Sequence, residues 1–228
     1  MSDFTPAEWQ AIALSLKVAL VATLTALPIG VFIAYALARW RFAGRQVLNI
    51  IVHIPLVLPP VVTGYLLLLT FGTRAPLGEA LADIGIVFAF RWTGAALAAG
   101  IMGFPLMVRA IRLSLDAVDP KLEEAAATLG ASRFWIFVTV TLPLCLPGIL
   151  AGATLGFAKA LGEFGATITF VSNIPGQTQT VPSAIHALLQ VPGGEAGALR
   201  LVTVCIILAV GALIVSEWLA RRMQRRLS

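Results

Sequence analysis

Five stretches of this chain, at roughly 11–38, 47–71, 93–115, 134–158 and 199–220, are long and mainly apolar. A helix needs about 20 such residues to cross the hydrocarbon core of a bilayer. Inside that core every backbone N–H and C=O must be satisfied by protein, so runs of this length become helices. Only 12% of residues are charged, about half the share of a soluble domain. The sequence therefore predicts an all-α polytopic membrane protein with five long transmembrane helices. Residues 1–228 form one transmembrane domain, because no long polar stretch offers a second, soluble one.

The first run is not a signal peptide, although Ala34-Tyr35-Ala36 resembles a cleavage site. Asp3 and Glu8 stand where a basic region belongs, Ile12 to Ala38 is too long, and Arg39, Arg41 and Arg45 follow it. Lys and Arg in the connections set orientation. Arg39, Arg41 and Arg45 place the first loop in the cytoplasm, as do Arg109, Arg112, Lys121 and Arg133 for the third. The second loop sets Arg74 and Arg91 against Glu79 and Asp83 and is external. The N-terminus is then outside and the Arg221–Arg226 tail cytoplasmic, as a topology anchor or an anionic-lipid contact. The net charge of +5 is thus a matter of topology, and nucleic acid is not expected as a partner.

Prolines interrupt the pattern. Pro28 lies inside the first run, and Pro55, Pro59 and Pro60 inside the second, each removing a helical hydrogen bond. Such breaks survive in lipid where protein or a water-filled path covers the freed carbonyls. Lys17, within the first run, is expected to snorkel toward an interface. Residues 159–199 are moderately apolar but broken by Gly162, Gly165, Pro175, Pro182, Pro192 and Gly193-Gly194. They read as external backbone with a short helix near Ser183–Gln190 that re-enters the membrane or forms a short sixth span.

Between the third and fourth runs the cytoplasmic loop 116–133 encodes a short helix. Asp119 suits its N-cap, Pro120 its first turn and Gly130 its C′ position. Glu123 and Glu124 sit at the positive end of the helix dipole. Leu122, Ala125, Ala126 and Leu129 form one stripe, thinned by alanine so that another surface can approach, or simply an interfacial amphipathic face. Arg109 and Arg112 either anchor the interface or meet Asp116, Asp119 or a partner. Lys159 and Glu163 stand at i, i+4, as a structural ion pair at a helix end or a direct substrate contact.

Glu124-Ala125-Ala126, three residues, Gly130, nine residues, then Val140-Thr141-Leu142-Pro143 resembles the signature loop of permease subunits of bacterial ABC importers, with Val140 where Ile is usual. Leu58–Tyr65, Phe104–Arg112 and above all Phe157–Gly176 are similar to the molybdate branch of that family, over most of residues 8–220. Sulfate and thiosulfate permeases usually carry Tyr and Ser where this chain has Phe164 and Ala166-Thr167, and tungstate remains an alternative cargo. The resemblance implies a type I ABC importer permease fold in the bacterial inner membrane. It implies a homodimer, two separate ATP-binding subunits docked on the loop helix, and an external molybdate-binding protein. The coupling residues carried over are Glu123, Glu124, Ala125, Ala126, Gly130, Leu142 and Pro143. A dianionic oxyanion needs N–H and O–H donors more than fixed cations. Thr63, Thr167, Thr169, Ser172 and Asn173, with Lys159, Gly162, Glu163 and Gly165, are the candidate path or gate residues. The hydroxyls are equally suited to bond their own helix carbonyls.

The chain carries no phosphate-binding Gly-x-x-x-x-Gly-Lys-Ser/Thr loop and no Gly-x-Ser-x-Gly or His-Glu-x-x-His motif. It is therefore not expected to be an enzyme, nor to hold a cofactor or metal. Cys145 and Cys205 read as buried thiols, and His53 and His186 as core or interface residues. No C-terminal regulatory domain is expected. An ion-coupled carrier is the alternative of a different class; it needs titratable groups at mid-membrane, and the near candidates, Lys159 and Glu163, both lie at a span end.

Overall fold

The computed structural model describes residues 4–227; Asp3, the acidic residue ahead of the first run, lies outside them. Among the described residues there are helices and no strands. Among them four helices are long and apolar enough to cross a membrane, and five if a bent pair counts as one span.

The first long helix, α1 (Pro6–Arg39), starts in a capping box: the Glu8 N–H donates to Thr5 Oγ1 at 3.3 Å and the Thr5 N–H to Glu8 Oε2 at 2.6 Å. Lys17 Nζ lies 3.7 Å from the centre of the Trp92 ring. From Lys17 to Arg39 the helix rises about 33 Å, close to one hydrocarbon thickness. The turns before Lys17 therefore project beyond that slab. There Ala11 and Ile12 pack with Val181, Ala184 and Leu201.

The run at 47–71 is not one continuous helix. It divides into α2 (Arg45–Val57) and α3 (Pro60–Phe71), bent by 115°. Pro59 and Pro60 hold Leu58 and Pro59 extended, so the helix cannot pass through them. A short α4 (Pro76–Asp83), not anticipated in the second loop, follows.

The centre of the bundle is α5 (Trp92–Ala117), which packs mainly on α1 and on α8 (Leu142–Leu161). Small residues allow the approach: Gly94, Ala95, Ala98, Ala99 and Gly103 are buried, and a Cβ on Gly103 would stand 3.0 Å from the Gly156 carbonyl oxygen. Ahead of α8 come α6 (Pro120–Thr128), α7 (Arg133–Ile136) and a π-helical segment, Phe137–Thr141, continuous with α7 and α8. The last helix, α11, runs from Glu195 to Leu227 and covers α8.

Residues 159–199 are more ordered than external backbone. α8 continues to Leu161, α9 (Gly165–Val171) is helical, and α10 spans Val181–Leu188, close to the expected Ser183–Gln190. Ala166, Phe170 and Val171 of α9 are fully buried in the main core cluster. Its glycines made α9 look irregular, yet they are what let it pack. A Cβ on Gly64 would collide with the Ala166 carbonyl oxygen, and one on Gly165 would fall 2.7 Å from Pro60 Cβ. Gly64→Val is expected to cost about 1–3 kcal/mol or more through overpacking. Thermal unfolding in detergent should fall by several degrees; an unchanged midpoint would contradict the α3–α9 contact.

Candidate functional site

The loop helix α6 forms as its sequence requires. Asp119 Oδ1 accepts the Lys121 N–H at 3.0 Å and Pro120 opens the first turn. At the other end Gly130 adopts φ +87°, with its N–H on the Ala127 carbonyl at 3.0 Å and the Ala131 N–H on the Ala126 carbonyl at 3.2 Å. Both bonds of a Schellman stop are present. No residue of α6 is buried. Leu122 is 49% exposed and Leu129, just beyond the helix, 88%; Ala125 is exposed and Ala126 half-buried. α6 thus leaves an apolar stripe exposed, with Glu124 exposed on the face away from it.

Glu123 behaves differently from Glu124. Its Oε1 lies 3.2 Å from Nε of Arg39 and accepts from Thr141 Oγ1 at 2.8 Å. A second arm of Arg39 donates to the Val118 carbonyl at 3.1 Å. One carboxylate therefore ties α6 to the end of α1 and to the π-helical segment before α8. Its role at the helix dipole is secondary to this. Sequence reasoning assigned Arg39 to topology and gave Thr141 no role; the pairing spans 84 positions and leaves no local pattern. Leu142 and Pro143 lie outside α6. They form the first turn of α8, where Leu142 packs against the core around Leu37 and Cys145. Arg112 meets Asp116 at 3.6 Å and Asn49 Oδ1 at 3.1 Å, while Arg109 is exposed.

The second candidate region surrounds the α8–α9 junction. α8 ends at Leu161, capped at the exposed Gly162, yet Lys159 Nζ still reaches Glu163 Oε2 at 2.8 Å. The Glu163 side chain is only 1% exposed, and its Oε1 accepts the Ala166 N–H at 3.0 Å. The carboxylate thus holds the end of one helix and the start of the next, compensating a buried charge on both oxygens. Thr167 and Thr169 donate back to the carbonyls of Phe164 and Gly165, each at 2.9 Å. Those hydroxyls are engaged. Thr63 Oγ1 and Asn173 Oδ1 are instead buried with no hydrogen-bond partner among the described residues. Ser172 is exposed with φ +65° and turns the chain out of α9. Thr178, which the sequence did not single out, fastens that turn: it accepts the Ile174 N–H at 3.0 Å and donates to the Ser172 carbonyl at 3.1 Å. Glycine contacts join Thr169 and Gly165 to α3, beside Thr63, whereas Gly162, Ser172 and Asn173 sit at the ends of α8 and α9.

Among the described residues no three His, Cys, Asp or Glu side chains converge on a metal position. His53 Nδ1 pairs with the Asn49 carbonyl, and His186 with Gln190.

Residues 26–228 match the family described as binding-protein-dependent transport system inner membrane component. The chain belongs to that family. Among its relatives, "Molybdenum transport system permease protein ModB" of Escherichia coli K12 is 60% identical, covering 97% of both chains. The protein of the same description in Haemophilus influenzae is 53% identical, covering 96% of each. The E. coli "Sulfate transport system permease protein CysT" is 38% identical over 71% of this chain and 58% of its own length. Among solved structures, the inward-facing MetNI methionine ABC transporter superposes with a TM-score of 0.68 at 17% identity, covering 95% of this chain and 94% of that one. A bacterial ABC transporter involved in the import of alginate gives 0.71 at 19%, covering 98% and 81%. The permease thus has the fold of type I ABC importer membrane subunits.

In this permease the Arg39–Glu123 pair is mostly shielded, at 16% and 19% side-chain exposure, so it escapes the weakness of surface pairs. A double-mutant cycle on Arg39→Gln and Glu123→Gln, read by unfolding in detergent, should give a coupling of about 1–3 kcal/mol. Additive effects would show that the two side chains do not act together.

Proposed function

We propose that the permease carries molybdate inward across the bacterial cytoplasmic membrane by ATP-driven alternating access. Two copies form the path at a two-fold axis. Two separate ATP-binding subunits dock on the paired α6 helices, and an external binding protein delivers the oxyanion. ATP hydrolysis belongs to the docked subunits, which carry the energy that this chain lacks the motifs to supply.

The observation that carries this reading is α6 itself. It presents Leu122, Ala125 and Leu129 to solvent while Glu123, about 100° round the helix from Leu122, grips α1 and the π-helical segment. A push on the open face is passed directly to two membrane helices. Basic residues support a cytoplasmic position for it: Arg39, Arg41, Arg45, Arg109, Arg112, Lys121 and Arg133 gather at this end of the bundle. The N-terminus then lies outside and the Arg222 end of α11 inside. The cargo follows from kinship, since the 60% relative is described as a molybdenum permease and the sulfate relative matches less of the chain. Path chemistry is compatible. Lys159 is neutralised by Glu163, so a passing oxyanion meets neutral donors such as Thr63 and not a trapping cation. The same pair leaves little for an ion-coupled carrier to work with. Tungstate shares the charge and shape of molybdate and is the alternative cargo.

Proteoliposomes holding the permease, its ATPase and its binding protein should accumulate molybdate only with ATP, and equal sulfate should not compete. Uptake without ATP would remove the ABC reading, and sulfate outcompeting molybdate would reassign the cargo. Glu124→Lys reverses an exposed charge on α6. Uptake per ATP hydrolysed is expected to fall at least about tenfold, equivalent to the loss of about 1.4 kcal/mol of coupling, while the permease stays folded. Unchanged coupling would count against docking at α6.

A further inference from the structure

We propose that the seam between α1, α2 and α5 is a binding site for one anionic phospholipid of the cytoplasmic leaflet. Two cavities lie along that seam. The first, about 480 Å³, is walled by Leu37, Phe42, Arg45, Gln46, Asn49 and Arg112. The second, about 460 Å³, is an apolar groove between the same three helices, walled among others by Ala26, Ile29, Val52, Pro55, Leu97 and Phe104.

Polar and apolar parts are in the order an amphiphile needs. Arg112 lies about 30 Å along α5 from Trp92, which puts the first cavity at the opposite membrane face from the Lys17–Trp92 contact. Phe104 is about 12 Å back toward the bilayer centre from Arg112. A phosphate held in the first cavity would therefore have its acyl chain over the second.

The charge of the first cavity selects the headgroup. Two guanidinium groups line it and no Asp or Glu does. Arg45 spends Nε and Nη2 on the Leu37 carbonyl, at 2.9 and 2.5 Å, which fixes the group and leaves Nη1 to donate. Arg112 is held by Asn49 Oδ1 at 3.1 Å and, from outside the cavity wall, by Asp116 at 3.6 Å. Among the described residues Arg45 meets no carboxylate. Guanidinium forks suit phosphate oxygens, and basic pockets between helices at the cytoplasmic face are lipid-headgroup sites. A zwitterionic headgroup would bring its own ammonium into a cationic cavity, so phosphatidylglycerol-like lipids are favoured. None of these residues belongs to the docking face or to the α8–α9 junction.

The site rests on the proposed cytoplasmic placement of this end of the bundle. The test uses the whole transporter in nanodiscs of equal phosphatidylglycerol and phosphatidylcholine, released into native mass spectrometry. Wild type should keep one phosphatidylglycerol per permease chain, with a preference over phosphatidylcholine of about tenfold or more from two arginines. Gln46→Glu adds a negative charge to the cavity wall without removing either arginine, and Ala26→Leu fills the groove without touching the headgroup cavity. Each should lower that retention several-fold. Equal retention of the two lipids overturns the proposal. So does stabilisation by inorganic phosphate in lipid-free detergent that Ala26→Leu leaves intact, which would make this a free-anion site. A third contrary result is loss of the dimer in Ala26→Leu with phosphatidylglycerol retained, which would give the groove to a second copy. ATP-driven uptake by the same wild-type transporter, sealed into proteoliposomes of that lipid mixture, separates failures. An active sample without lipid preference defeats this site alone, whereas a sample with no ATP-driven uptake defeats the transport reading.

Discussion

The carboxylate of Glu123 meets three chain segments that share no sequence neighbourhood: its own helix α6, the end of α1 through Arg39, and the π-helical segment through Thr141. Without it α6 would be a nine-residue helix with no buried residue, joined to the bundle by loops. An isolated helix of that length is not stable in water. Its two caps and this one contact are what turn an exposed strip of chain into a part that can bear load. Through Glu123, α6 is joined to α1 and to the segment that leads into α8, and both helices pack on the central α5.

Glu163 does at the α8–α9 junction what Glu123 does at the loop. Each stands where helices end, and each joins a cation to a second donor: Arg39 and Thr141 in one case, Lys159 and the Ala166 N–H in the other. The need is sharper at Glu163, because broken backbone away from water must be covered by protein. The chain meets that need by packing its breaks on one another. α3, which follows the Pro59 break, lies against α9, which follows the Gly162 break, with Gly64 and Gly165 at the contact. Thr63 on α3 and Asn173 beyond α9 each keep a buried oxygen without a hydrogen-bond partner among the described residues.

Regularity made the fold legible. Apolar runs declared the spans, and Asp119, Pro120 and Gly130 declared both ends of α6, since capping depends on residues a few positions apart. Where the sequence misled, the cause was a local signal overruled by tertiary packing. Glycines at 162 and 165 read as irregular backbone, yet they end one helix and admit another to the core. The prolines at 59 and 60 did more than kink the second run: they turned it through 115°. The candidate site was legible as a docking stripe and as the Lys159–Glu163 pair, both at helical spacing. Arg39, Thr141 and Thr178 were not, because a long-range hydrogen bond leaves no periodicity. Cargo was legible only as resemblance, since tetrahedral oxyanions share one donor chemistry.

The account turns on α6 moving as one body with the inner end of α1. That is tested most directly by fixing the contact covalently. In a background with Cys145→Ser and Cys205→Ala, Arg39→Cys and Glu123→Cys would be joined by a short bifunctional thiol reagent that replaces the ion pair. If the contact persists through the transport cycle, the cross-linked transporter keeps ATP-driven uptake, and at a higher rate than the same variant before cross-linking. If uptake stops on cross-linking and returns on reduction, α6 and α1 must separate during transport, and the account is wrong.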